Sequence, residues 1–252
     1  MLAEERLERI RHIVNERGVA SVPQLMNELD ASESTIRRDL HKLDKLGMLN
    51  KVHGGATRVN EDYVLADLPF AGRQSIYHEQ KQAIAAYAAT LISPDDFVFI
   101  DGGTTTECLV NAITETRATY LTNSLPHAQH LLAKGCRTLL PGGEIKPVTE
   151  VLVGAETVNA IRRYHFTLGF WGTNGANLET GFTTPEFSEA AVKQISLEHT
   201  VHPYVLCDSS KFSKISLITF ADFNSATVIT DRIPAGEGAY RSMGNIKEVE
   251  EQ

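Results

Sequence analysis

The chain is poor in cysteine and has no long apolar run. Its three cysteines, Cys108, Cys136 and Cys207, stand apart with no CxxC spacing. That argues against a disulfide framework or a zinc site and leaves buried, reduced thiols. No stretch approaches the ~18 apolar residues of a membrane helix. The opening MLAEERLERI lacks the apolar segment of a secretory signal, so a cytoplasmic protein is expected. His127, His130, His165, His199 and His202 are scattered without ligand spacing, and neither a Walker A nor a GxGxxG motif occurs. No metal, cofactor or nucleotide is therefore expected. With 252 residues, 42% of them hydrophobic and 22% charged, the chain can build a small domain and a larger core.

A net charge of −8 argues against nucleic acid until it is divided along the chain. Residues 1–60 carry 10 Lys+Arg against 9 Asp+Glu, whereas residues 61–252 carry 14 against 23. Within 32–58 the count is 6 against 3, with His41 and His53 besides. Phosphate attraction is local, because screening limits it to about 8–10 Å at ordinary salt. Contact with nucleic acid, if any, belongs to the N-terminal part.

Residues 32–56, SESTIRRDLHKLDKLGMLNKVHGGA, organise that part. Ile36, Leu40 and Leu43 share one helical face with Leu46 at its edge, while Ser34, Arg37, Arg38, His41, Lys42 and Lys45 lie opposite. Ser32 can cap the first turn and Gly47 can close the last. Such a helix fits the major groove of B-DNA, though an ordinary amphipathic helix with solvated charges reads the same way. Its neighbours favour the groove. Residues 4–17 form a first helix with Leu7, Ile10, Ile13 and Val14 inward and Gly18 as stop. Ser21, Pro23 and Gln24 start a second helix that ends near Leu29. Two helices and a short turn make a helix-turn-helix, and residues 48–56, with Gly54 and Gly55 at the bend, predict a hairpin wing.

Residues 57–75 lack any sustained period and read as a linker. A helix over 76–92 follows, and then strands over 97–101, 118–122, 137–141, 166–171, 204–208 and 226–230 alternate with helices over 105–114, 125–134 and 185–198. Alternation of this kind means a mainly parallel sheet covered on both faces, with ligands at the C-terminal strand ends. The informative loops stand at those ends. Asp101, Gly102, Gly103, Thr104 and Thr105 open a helix with backbone N–H groups and hydroxyls suited to an anion, although a plain βα turn would use the same residues. Residues 122–124, 142–144 and 172–175 are polar or glycine-rich, and Lys211 adds a cation at the same edge. Glu189 and Lys193 read as an i, i+4 surface pair, with Glu186 one turn earlier. The polar end from Pro234 onward reads as a solvated tail.

The segment TIRRDLHKLDKLGMLNKVHGGA resembles the signature of the DeoR-type family of bacterial sugar-operon regulators. FIDGGTTT, LTNSL, PGGE, the Glu…Lys helix and CDSSKF resemble its effector domain in order and spacing. The likeness spans roughly residues 3–232. It implies a winged helix-turn-helix over 1–57, a linker over 58–75, an α/β effector and oligomerisation domain over 76–240 resembling ribose-5-phosphate isomerase, and a polar tail over 241–252. On DNA, Thr35, Arg37, Arg38 and His41 would reach base edges, and Ser34, Lys42, Lys51 and His53 would hold phosphates beside the Gly54–Gly55 turn. In the effector domain Gly102, Gly103, Thr104 and Thr105 would hold a phosphate, Asp101, Asn123, Glu186 and Lys193 would line a sugar, and Lys211 would complete the anion site. The implied partners are double-stranded operator DNA, a sugar phosphate of the fructose or tagatose class, and further copies of the chain as a homodimer or homotetramer. The resemblance is strongest to repressors of fructose- or lactose-type phosphotransferase operons. The alternative is a sugar-phosphate isomerase with an appended DNA-binding module, using Asp101, Glu186 or Glu189 as acid/base.

Overall fold

A capping box sets the first corner of the fold. In the computed structural model, which describes residues 3–52, 54–57, 63–64 and 73–249, Ser21 Oγ accepts from the Gln24 N–H at 3.4 Å and Gln24 Oε1 accepts from the Ser21 N–H at 2.9 Å. The chain divides into two units, Met1–Glu61 and Asp62–Gln252.

In the first unit, α1 (Ala3–Arg17), α2 (Val22–Leu29) and α3 (Glu33–Lys45) pack around Ile10, Val14, Leu25, Ile36, Leu40 and Leu43. Asp30 takes a left-handed conformation (φ 46°) that turns the chain from α2 into Ser32, the cap of α3. Strand β1 (Val19–Ser21) joins the hairpin of β2 (Asn50–Val52) and β3 (Gly55–Thr57) in a three-stranded sheet with β3 in the middle. The wing hairpin follows the sequence pattern; β1 does not, because three residues are too few to show alternation.

The second unit begins earlier than its sequence pattern indicates. Strand β4 (Tyr63–Val64), inside the stretch read as linker, pairs with a strand near residue 215, and residues 73–75 also belong to this unit. The remainder of that stretch, 58–62 and 65–72, lies outside the described residues, as does His53. Helix α4 (His78–Ala89) leads to β5 (Phe97–Ile100), α5 (Thr104–Ala112), β6 (Thr119–Thr122), α6 (Leu125–Ala133) and β7 (Arg137–Leu139). A small hairpin, β8 (Glu144–Ile145) and β9 (Leu152–Val153), precedes α7 (Ala155–Ile161) and β10 (Phe166–Gly172). Strands β11 (Gly175–Asn177) and β12 (Gly181–Thr184), α8 (Phe187–Glu198), β13 (Thr200–Leu206), β14 (Ile215–Ser216), β15 (Ile218–Ala221), β16 (Thr227–Thr230), α9 (Gly238–Arg241) and β17 (Ile246–Glu248) complete it.

The main sheet has seven strands in the order β17-β16-β13-β10-β5-β6-β7, and every adjacent pair runs parallel. Strand β5 shows why it is buried on both sides. Phe99 points into one core with Phe166, Trp171, Val192 and Val205, while Val98 and Ile100 point into the other with Ile84, Ala88, Leu109 and Tyr120. From β5 the chain builds outward to β6 and β7, and from β10 it builds the other way. The order therefore reverses between β5 and β10, which opens a crevice beyond their C-terminal ends. Trp171 needs Gly169 in β10: a Cβ there would come 2.2 Å from the indole ring.

Three expectations are corrected. Strand β13 begins at Thr200 rather than 204, because its pairing with β10 from Phe166 onward holds His202 and Pro203 in the sheet. The small sheet β11-β12-β15 and hairpin β8–β9 are absent from the sequence reading, being strands of only two to four residues. The supposed solvated tail is structure: β17 pairs with β16, Val249 is buried, and Glu248 accepts from the Ile233 N–H at 2.6 Å. A chain ending at Gly244 should therefore lose at least about 2 kcal/mol, seen as a fall of roughly 5 °C or more in the Tm of the second unit by scanning calorimetry. An unchanged Tm would mean that residues 245–252 contribute nothing to the sheet.

Candidate functional site

The exposed face of α3 is polar and basic because its apolar face is consumed by the core. Ser34, Arg37, Arg38, His41 and Lys42 are exposed, and Thr35 is half-buried, sharing a hydrogen bond with the capping Ser32 hydroxyl at 2.9 Å. Asp39, the acid next to Arg38, is buried and binds Arg6 of α1 at 2.6 Å. That pair ties α1 to α3 and, among the described residues, leaves Arg38 with no ion pair. Arg37 meets Glu33 one turn back at 2.7 Å, a surface pair of a few tenths of a kcal/mol that a phosphate or base can displace. Lys51 is exposed on β2, and its N–H donates to Asp44 at 2.7 Å, fixing the wing to the end of α3. The two glycines of the wing differ. Gly54 is exposed with φ 88°, as the turn requires. Gly55 is buried, and a Cβ there would lie 2.3 Å from the Ala20 carbonyl oxygen, so it serves the β1–β3 contact and not a phosphate.

In the second unit a pocket occupies the crevice where the sheet order reverses. It is lined by the 102–105 loop, the 172–174 loop, Lys81, Glu189, Lys193 and Lys211, among others. The 102–105 stretch sits tight against hairpin β8–β9: a Cβ on Gly102 would lie 2.2 Å from Val151 Cγ1. Thr104 and Thr105 line the pocket, while Thr106 turns away to donate to the Gly103 carbonyl at 3.0 Å.

The charged groups fall into two clusters. In one, Lys81 donates to Thr104 Oγ1 at 3.0 Å and to the Arg73 carbonyl at 2.7 Å, and it feels the charges of Asp208, Lys211 and Arg73. Burial pushes the Lys81 ammonium down to about 8. In the other cluster, Lys193 binds Asp101 through its ammonium and donates to the Gly172 carbonyl at 3.0 Å, while the Gly172 N–H donates to Asp101 at 3.2 Å. Burial pushes Asp101 up, and Lys193 only partly offsets it. Beside them Glu189 accepts from Lys146 at 2.8 Å and from Thr149 at 3.0 Å, both on or beside hairpin β8–β9. Burial pushes the Glu189 carboxyl up, but the bonds and charges of Lys146, Lys193 and Thr149 outweigh it and hold the group below the ordinary carboxylate range.

Of the residues expected here, Gly102, Gly103, Thr104, Thr105, Lys193 and Lys211 line the pocket, and Asp101 sits beneath it as the partner of Lys193. Two do not line it. Asn123 is buried with Oδ1 accepting from the Gly102 N–H at 3.1 Å, so its side chain holds the loop and is not available to a sugar. Glu186 is half-exposed outside the lining, 3.4 Å from Lys146, and Glu189 takes the place assigned to it. Glu189 is buried and not a surface residue, because Lys146 and Thr149 of the hairpin region lie against its carboxylate. The sequence reading also missed Lys81, Lys146 and Thr149. Lys81 carried a signal, since it stands on the buried stripe of α4 with Ile84, Ala85 and Ala88, a place where lysine needs a reason. Lys146 and Thr149 carried none.

Two family descriptions match the chain: the DeoR-like helix-turn-helix domain over residues 6–62 and the DeoR C terminal sensor domain over residues 76–232. An uncharacterized HTH-type transcriptional regulator, FruR, of Bacillus subtilis is 37% identical over 231 residues, covering 91% of each chain. The lactose phosphotransferase system repressor of Streptococcus mutans is 35% identical over 235 residues, covering 92% of this chain and 93% of its own. Among solved structures, ribose 5-phosphate isomerase A from Methanocaldococcus jannaschii is similar at a TM-score of 0.41 and 14% identity, over 54% of this chain and 55% of the other.

The buried Lys193–Asp101 pair generates a stability prediction. Lys193→Met leaves a desolvated carboxylate without its cation and should destabilise the second unit by about 3–5 kcal/mol in urea denaturation. The double variant Asp101→Asn with Lys193→Met should recover part of that loss, because the neutral amide no longer needs a counter-charge. A single-variant loss below about 1 kcal/mol would show that the pair is hydrated in solution.

Proposed function

The chain belongs to the DeoR family of transcriptional regulators, and from that premise we propose that it represses a sugar-utilisation operon and leaves its operator when a phosphorylated sugar binds the second unit. The observation that carries the reading is the division of charge chemistry within one chain. An exposed basic helix stands in the N-terminal unit, and buried cations converge on a glycine–threonine loop in an otherwise acidic one. On DNA, α3 enters the major groove with Arg38, unpaired among the described residues, as the leading candidate for bidentate contact with guanine. Ser34, Thr35, Arg37, His41 and Lys42 flank it, and Lys51 meets the backbone from the wing. One such helix reads too few base pairs for specificity, so the working form is an even-numbered homo-oligomer, a homodimer or homotetramer, on repeated half-sites.

In the pocket, the phosphate takes the end formed by Gly102, Gly103, Thr104 and Thr105 with Lys81 and Lys211. Backbone N–H groups, the start of α5 and two ammonium groups offer it charge-assisted hydrogen bonds. The Lys193 and Glu189 end receives the sugar. Release from DNA requires that the ligand bind the DNA-free state more tightly, and a coupling of about 1–3 kcal/mol would be ordinary. An isomerase reading keeps only Glu189 of its three acid/base candidates, because Asp101 is bound to Lys193 and Gly172 and Glu186 stands outside the lining.

Anisotropy with DNA from upstream of the chain's own gene, at fixed salt and with a panel of sugar phosphates, tests the function. One fructose or tagatose phosphate is expected to release the protein. Arg38→Ala should weaken specific binding by about 1–3 kcal/mol while changing affinity for unrelated DNA much less. Specific binding untouched by every sugar phosphate would remove the proposed inducer and leave the DNA-binding half.

Lys81 makes the affinity depend on pH in a definite direction. A phosphate monoester is already dianionic above its second pKa of about 6, so between pH 7 and 9 Lys81 is the group that changes. The ligand favours the protonated ammonium and raises its pKa on binding. Affinity is therefore greatest below pH 8 and falls as the free protein loses that proton, by about tenfold from pH 7 to 9. Calorimetric titration should show this fall together with proton uptake, and Lys81→Met should be weaker and nearly flat across the range.

A further inference from the structure

The two ends of the pocket are not electrostatically alike, and the difference bears on what the ligand carries away from its phosphate. Around Thr104, Lys81 feels the charges of Lys211, Arg73 and one carboxylate, Asp208, whose Oδ1 already accepts from the Ser210 N–H and hydroxyl. That end keeps an excess of positive charge. At the other end each cation has its own anion: Lys193 is bound to Asp101, and Lys146 is bound to Glu189 and lies near Glu186. Among the described residues no cation is left over there to neutralise a second anionic group.

Glu189 is the anion of that end which lines the pocket. Its Oε1 takes both the Lys146 ammonium and the Thr149 hydroxyl, which leaves Oε2 as the acceptor without a hydrogen bond among the described residues. Glu189 is 8% exposed, so an incoming dianion would meet its carboxylate with little water between them. A hydroxyl, by contrast, would donate to Oε2 while Lys193, with two of its three protons engaged, offers the third to a neighbouring oxygen.

We infer that Glu189 determines ligand specificity, accepting a hydrogen bond from a hydroxyl at the unphosphorylated end of a sugar monophosphate and rejecting the sugar that bears a second phosphate there. The inference rests on the proposed phosphate end. It adds a positioning role for the hairpin, because Lys146 and Thr149 both bind Oε1 and leave Oε2 to the ligand.

The test uses the full chain and calorimetric titration with inorganic phosphate, fructose 1-phosphate, fructose 6-phosphate, tagatose 6-phosphate and fructose 1,6-bisphosphate. The expected result is that inorganic phosphate binds or competes weakly, and that one monophosphate binds at least tenfold more tightly than the bisphosphate. In Glu189→Gln, which keeps shape and one acceptor, the monophosphate should weaken by about tenfold, the bisphosphate should weaken little or tighten, and inorganic phosphate should stay unchanged. Thr149→Val, which spares the carboxylate but removes one of the two donors that hold it, should reduce the preference for monophosphate without abolishing it. A bisphosphate that binds the unmodified chain as tightly as the best monophosphate overturns the inference without any variant. So does a preference that survives in Glu189→Gln. No binding or competition by any phosphate would overturn the phosphate end and this inference with it, whereas phosphate binding with an inverted preference would overturn the specificity role alone.

Discussion

One buried ion pair holds the second unit's crevice in shape. Asp101 directly follows β5, Gly172 ends β10, and Lys193 reaches both from α8. A sheet whose order reverses between two strands leaves their ends without a common neighbour, and the crevice would close or flood unless something spanned it. An ammonium bonded to the carboxylate of one strand end and the carbonyl of the other does so. Both charges are almost fully buried, so neither could persist without the other. The loop from Gly102 to Thr105, which follows directly from Asp101, is thereby fixed in place.

Around that pair, the remaining contacts are arranged by close approach more than by charge. Val151 of the hairpin presses against Gly102, Asn123 takes the Gly102 N–H, and the Leu152 N–H returns to the Asn123 carbonyl at 2.7 Å. Lys146 and Thr149 then bind Glu189 of α8. Loop, hairpin and helix form one connected set of contacts. In the first unit the same logic runs on a smaller scale: Arg6 and Asp39 tie α1 to α3, and Gly55 lets β3 lie against β1.

The chain thus separates two tasks by chemistry. An overall charge of −8 disfavours binding of polyanions by the bulk of the molecule, and the exposed basic residues of α3 can attract a phosphate only within the short range that salt allows. In the second unit the cations are withdrawn into a pocket, where a lysine pushed down to about 8 by burial can respond to a small anion. Membership of the DeoR family, reached through both halves of the chain, agrees with that separation.

By itself the sequence determined whatever depends on local periodicity and capping. The helices of the first unit, the alternation of strands and helices in the second, and the glycine–threonine loop after β5 all follow from apolar spacing and from residues that cap or turn. These interactions span a few positions, so a linear reading contains them. Only the tertiary structure decided which side chains share a space. Asn123 sits in a turn and looks like a ligand, but a backbone N–H 21 residues away claims it. Glu189 looks like half of a surface pair until a hairpin 40 residues earlier covers it. Lys146 and Thr149 have no periodic context at all, and β17 is three residues that become a strand because β16 offers an edge. Contacts of that range depend on chain-distant neighbours, whose positions are set by how the sheet is wound and not by any one stretch of the chain.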